Sequence, residues 1–141
     1  MKMTIRILML VLLHCGIAVS SQAQQALVSG SDTLAYWQND TLSGYHGGVL
    51  LTLQGGTTVL DANGSTLYTM SSAGDISDLN GDLIGNISSS GTVHDANGDL
   101  MGTLSNGEAR DLNNDLLGSY GSTPLKIAGL YFLFHGMADD I

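Results

Sequence analysis

Four stretches of the chain repeat one pattern: Val59-x-Asp61-x-Asn63-Gly64, Ile76-x-Asp78-x-Asn80-Gly81, Val93-x-Asp95-x-Asn97-Gly98 and Ala109-x-Asp111-x-Asn113-Asn114. Their aspartates stand 17, 17 and 16 residues apart. A fixed period marks an array in which each unit is one supersecondary element that covers its apolar face with its neighbours. This period is too short for a helix-turn-helix unit. It suits a two-stranded hairpin with a connection, so an all-β chain is expected.

The residue order within a unit has a local cause. Asp, a free position, Asn and then Gly is the chemistry of a type I turn continued by a left-handed residue, which closes a hairpin with a bulge. The Asp carboxylate can accept the backbone N–H two residues on. Asn114 stands where the other units have Gly, and Asn is the residue that best tolerates the left-handed region after Gly. After each turn come two apolar columns, Leu67, Ile84, Met101, Leu117 and Met70, Ile87, Leu104, Tyr120. Between them lie Gly85, Gly102 and Gly118, with Tyr68 in the earlier unit; a Gly inside a strand marks a bend or the close approach of other atoms.

Sliding the pattern upstream gives a degenerate copy at 35–44, with Asp40 at the left-handed position and Gly44 in the glycine column. Five hairpin units are then legible, near 35–48, 59–74, 76–91, 93–107 and 109–121. The segment 48–56, where Val49, Leu51 and Leu53 alternate, reads as an insertion that adds one strand. The run 125–134 after Pro124 is almost wholly apolar and aromatic, and too short for a transmembrane helix. It is expected as a buried strand that closes the array, with Phe132 and Phe134 filling the middle; the sharper alternative is a membrane or partner contact through this run.

The amino terminus sets the compartment. Lys2 and Arg6 precede an apolar run from Ile5 to Leu13, and small residues end in Ser21-Gln22-Ala23. That is the layout of a secretory signal peptide over 1–23, cleaved before Gln24. Lipoprotein anchoring at Cys15 is not favoured, because His14 stands where a small residue is needed. Cleavage removes the only cysteine and leaves one domain over 24–141 without a disulfide. Arg110 and Lys126 then face thirteen acids, a net charge of −11. No basic stripe remains to neutralise phosphates, which excludes nucleic acid and disfavours anionic lipid.

The leader, the tandem Val-x-Asp-x-Asn-Gly-x-x-x-Gly repeats and the aromatic final segment after a Pro-containing link together resemble the five-fold β-flower proteins, small exported proteins found mainly in Bacteroidetes. The likeness runs from about Ala35 to Phe134. It implies five β-hairpin petals around a pseudo-five-fold axis. It implies no activity, and so no functional residues to carry over.

Chemistry has few footholds in the sequence. Asp78-x-Asn80-x-Asp82 and Asp95-x-Asn97-x-Asp99 begin like calcium loops, but Gly falls at position four and not six. Position twelve is Ser89 or Asn106 where a bidentate Glu is needed, so the turn explains these residues better. His46, His94 and His135 share no ligand spacing. No Gly-x-Ser-x-Gly occurs, and the recurring aspartates are turn residues before they are a glycosidase pair. Three Asn-x-Ser/Thr matches, at Asn39, Asn63 and Asn86, would stay unmodified in an exported bacterial protein. No catalytic, cofactor-binding or metal-ligating residue is assigned. Two function classes follow. One is an exported non-catalytic module that presents a surface to an envelope protein or a glycan, with Tyr36 and Trp37 as an exposed stacking platform. The other is a ligand carrier or hydrolase with a central or inter-petal pocket; a polar central cavity would favour it, and a centre filled by Phe132, Phe134 and leucines would favour the first.

Overall fold

The computed structural model describes residues 23–134. The expected signal peptide up to Gln22, with Cys15, and the tail from His135 onward lie outside the described residues. Twelve antiparallel strands form six hairpins: β1 (Gln25–Ser29) with β2 (Asp32–Gln38), β3 (Thr41–Gly44) with β4 (Val49–Gln54), β5 (Thr58–Leu60) with β6 (Thr66–Met70), β7 (Asp75–Ser77) with β8 (Leu83–Ile87), β9 (Thr92–Asp95) with β10 (Leu100–Ser105), and β11 (Glu108–Asp111) with β12 (Leu116–Ser119). Each strand pairs with its sequence neighbours, and β1 closes on β12 through Val28 and Ser119, so the sheet is a closed barrel. One helix, α1 (Leu125–Leu133), follows the last strand.

The same pairings recur in every hairpin. Leu27, Leu42, Val59, Ile76, Val93 and Ala109 form one ring of residues with no exposed surface. Their cross-strand partners are Ala35, Leu51, Tyr68, Gly85, Gly102 and Gly118. A third ring, Trp37, Leu53, Met70, Ile87, Leu104 and Tyr120, is also buried. Its members pair across to the first ring of the next hairpin, as in Met70 with Ile76 and Ile87 with Val93. Apolar contact is therefore continuous round the barrel, which is how units too small to hold a core alone share one.

Just beyond the second ring the register slips in all six hairpins. The extra residue there is Leu34, Leu50, Leu67, Ile84, Met101 or Leu117. A bulge of this kind bends its strand and increases its twist. Ile84, Met101 and Leu117 are partly buried and pack against the core. The apolar pair read from each repeat is thus one bulge residue and one core residue.

The first units differ from the sequence reading. The hairpins number six and not five, because β1 starts upstream of Ala35 and the 48–56 segment supplies β4, the second strand of a full unit. Gly44 N–H donates to Gly48 O and Gly47 N–H to Gly44 O, as Asp61 does with Ser65 and Gly64 with Asp61. Gly44 therefore stands at the turn position held elsewhere by Asp, not in the glycine column. Asn39 and Asp40, both at positive φ, lie in the connection between two hairpins.

The closing strand expected at 125–134 is a helix. Every strand of the barrel already has two partners, so no edge remains for another to join. A segment placed in the middle must satisfy its own N–H and C=O groups, and a helix does so. Its composition suits burial all round, and Ile127, Ala128, Gly129 and Leu130 are buried. Phe134, which ends it, is 3% exposed. Ring glycines make the room: a methyl group on Gly118 would fall 2.5 Å from Phe132 Cε1, one on Gly102 2.9 Å from Leu133 Cδ2, and one on Gly85 2.5 Å from Phe134 Cζ. Three successive side chains of the C-terminal segment thus occupy the places that three successive hairpins leave empty.

Candidate functional site

The two ends of the barrel have opposite chemistry. At one end lie the hairpin turns. Asp61 Oδ1 accepts the N–H of Asn63 and of Ser65, both at 2.8 Å. Asp78, Asp95 and Asp111 repeat this with the residues two and four positions on, at 2.8 and 2.9 Å. Gly64, Gly81 and Gly98 have φ of 81°, 87° and 86°, and Asn114 has 67°. The turn read from the sequence is present, and each carboxylate also holds a second N–H, which the sequence pattern did not reveal. These N–H donors, foremost that of Asp82 for Asp78 and of Asp99 for Asp95, hold both carboxyls below the ordinary carboxylate value.

The turn carboxylates are thereby committed to backbone. Among the described residues no group of three or more His, Cys, Asp or Glu side chains could hold a metal ion. His46 stacks edge-on against Tyr45, 5.2 Å between ring centres. His94 lies on β9 opposite Asn86 and Leu100. Asp82, Asp99 and Asp115 differ from the turn-forming aspartates: their N–H groups bond, but no hydrogen bond engages their carboxylates among the described residues.

This end also carries apolar surface that the sequence reading missed. Tyr45, Leu79 and Leu112 occupy the free second position of their turns, and Val49, Leu83, Leu100 and Leu116 begin the following strands. All are exposed, Leu79 by 71% and Leu112 by 63%. The available signal was a large apolar residue at a turn position where the chain has no core to point into.

At the other end lie the inter-hairpin connections and the start of α1. The connections are built mainly from Ser, Gly, Asn and Thr, with Asp40 and Ala73, and none of the exposed large apolar side chains falls there. Gly74 and Gly91 sit at positive φ, with no room for a Cβ beside the carbonyls of Ile87 and Leu104. Lys126 Nζ donates to Ser71 O at 2.8 Å. Two clefts open to solvent flank Pro124. One, of about 330 Å³, is lined by Ala23, Gln25, Trp37, Gln38, Ser122 and Pro124. Ser122 Oγ donates to Gln25 Oε1 there at 2.5 Å. The other, of about 350 Å³, runs from Ser72 and Ala73 past Ile87, Ser88 and Ser89 to Pro124, Leu125 and Lys126. Neither reaches the barrel centre as a polar chamber, since α1 and the three rings fill it.

The expected stacking platform is corrected here. Trp37 is 6% exposed and belongs to the third core ring, so it contributes little surface to the first cleft. Tyr36 is half-buried and points the other way along the strand by alternation. Among the described residues no helix is long and apolar enough to cross a membrane. Comparison of the chain with family models, with curated proteins and with solved structures finds no match.

Proposed function

We propose that the chain is exported after cleavage near Ala23 and serves in the cell envelope or extracellular space as a non-catalytic β-repeat module that works by presenting a surface. Kinship with the β-flower proteins is part of the proposal, at the level of tandem hairpins around a common core. The observation that carries the reading is the filled centre: Phe132, Leu133 and Phe134 lie against Gly118, Gly102 and Gly85, where a carrier or hydrolase would need an open polar chamber.

A second reading, a glycan or small polar ligand held at the surface, is favoured by the cleft that Gln25, Gln38 and Ser122 line together with Trp37. Trp37 is the only tryptophan, so all tryptophan emission comes from a side chain that lines that cleft. Titration of the secreted chain with a panel of mono- and oligosaccharides, read by tryptophan fluorescence and by the thermal midpoint, separates the two. Unchanged emission and midpoint support the surface module. A saturable emission shift with a rise of several degrees makes the cleft a binding site and moves the second reading first.

A further inference from the structure

We propose that the turn end of the barrel is a docking surface for a cationic amphipathic polypeptide segment of another protein. This rests on the reading of the chain as a surface-presenting module. Apolar residues scattered singly over a surface need no explanation, whereas a contiguous set marks an interaction site. Here every large apolar side chain found exposed in the described residues lies at one end, in turns or at the first residues of the strands that follow. The opposite end, made from the five connections between hairpins and the link to α1, has none among the described residues. The fold does not demand the difference: Ala62 and Ala96 fill in two turns the position that Leu79 and Leu112 fill in others, with the same hydrogen bonds.

Charge identifies the occupant. Asp82, Asp99 and Asp115 each stand directly before an exposed leucine, Leu83, Leu100 or Leu116, and among the described residues no hydrogen bond engages their carboxylates. The four turn-forming aspartates lie on the same rim. The cation there, Arg110, is spent on Asn114 O at 2.9 Å and on Glu108 at 2.8 Å. A second copy would bring like charge against like, and an anionic membrane would do the same. A segment with alternating lysine or arginine and leucine matches both features, its cations opposite the free aspartates and its apolar face on the leucines.

The test uses the secreted chain and three fluorescent synthetic peptides of equal length and helical spacing, built from Lys and Leu, Glu and Leu, or Lys and Ser. Anisotropy titrations are run at low and physiological salt, with size exclusion to follow self-association. The Lys/Leu peptide is expected to bind and the other two to bind at least about tenfold more weakly, a change typical of losing central contacts. Leu79→Ser with Leu112→Ser, which leaves the charge intact, and separately Asp82→Asn with Asp99→Asn and Asp115→Asn, which leaves the turn bonds intact, should each weaken binding by about tenfold or more. Asp40→Asn, at the other end, should leave it unchanged. Equal binding of the Lys/Ser peptide, or full binding by the leucine variant, would reduce the effect to bulk charge and overturn the proposal. So would no binding of the Lys/Leu peptide, or a dimer of the chain abolished by the same leucine substitutions. These outcomes leave the fluorescence test of the Trp37 cleft untouched, so the two readings fail separately.

Discussion

The interior position of α1 can be tested with one pair of substitutions. A Cβ on Gly129 would fall 2.5 Å from Cδ1, 2.9 Å from Cγ1 and 3.3 Å from Cγ2 of Ile87, and its near neighbours are atoms of that one side chain. Ile87 is 2% exposed and held in the third ring, so it has little room to swing away. Overpacking of this kind costs about 1–3 kcal/mol, while Ala in place of Gly inside a helix returns about 1 kcal/mol. Gly129→Ala alone should therefore destabilise by about 0–2 kcal/mol. Ile87→Val alone should cost about 0.5–1.5 kcal/mol through the lost methyl. Together the new methyl enters the space the old one left, so the double variant should be more stable than the sum of the singles by about 1 kcal/mol or more. Urea melts followed by circular dichroism give the four free energies; on a domain of this size each kcal/mol also moves the thermal midpoint by about 4 °C. Additivity within about 0.5 kcal/mol would mean that the two residues do not touch, and that the segment does not thread the barrel beside β8.

The turns, the acid response and the metal response give three further expectations. Gly98 has φ of 86° and open space around it, so Gly98→Val should cost about 1–3 kcal/mol through backbone strain alone and Gly98→Asn clearly less; equal melts for both would show that the turn does not need a left-handed residue. Asp78 and Asp95 titrate below the ordinary carboxylate value in the folded chain. The unfolded chain then binds more protons as the pH falls below that value, so these residues contribute stability above it that is lost as the pH drops through the folded pKa; Asp95→Asn should flatten that part of the stability profile between neutral pH and about pH 2, and an unchanged slope would refute the assignment. Because the turn carboxylates are committed to backbone N–H groups, millimolar calcium should leave the thermal midpoint within about a degree of the chelated protein, and a calcium-specific rise that magnesium does not reproduce would count against the turn reading.

What could be read from the sequence was whatever local chemistry decides. Asp-x-Asn-Gly fixes its own turn with its own side chain, so the four regular turns and the strands flanking them were legible from residue order alone. Gly44-Tyr45-His46-Gly47 makes the same backbone bonds without the Asp, and Ser29 to Asp32 closes its hairpin in a shorter turn, so these two units carry no matching residues and their number and phase were not legible. Fold closure lies further from local reach. Whether the array closes at five or six depends on β1 finding Ser119 across the barrel, a contact between the first and last strands of the described residues. Aromatic, apolar residues at 130–134 have strand propensity, and the propensity lost to the absence of any free strand edge. The exposed leucines had only a weak signal, an apolar residue at the free position of a turn, and burial is what shows Leu79 and Leu112 standing out to solvent.

The drift between repeats has a physical pattern once the helix is inside. If every unit carried the same second-ring residue, the interior would be six-fold uniform, and a single helix, which has no such symmetry, would fit none of its sides. Ala35, Leu51 and Tyr68 instead give half of that ring its own side chains, while Gly85, Gly102 and Gly118 leave the other half bare. The helix lies on the bare half, against β8, β10 and β11, and supplies Phe132, Leu133 and Phe134 where the strands supply nothing. Interiors pack to a uniform density, so the two halves have to reach the same filling by different means. The chain order makes this placement economical. Only the short link from Tyr120 to Pro124 separates β12 from α1, and the three glycine-bearing hairpins are the last three made. Tyr68, out of pattern in the glycine column of the repeats, is therefore in place: it fills from the sheet side the volume that in the next three units the helix fills from the centre.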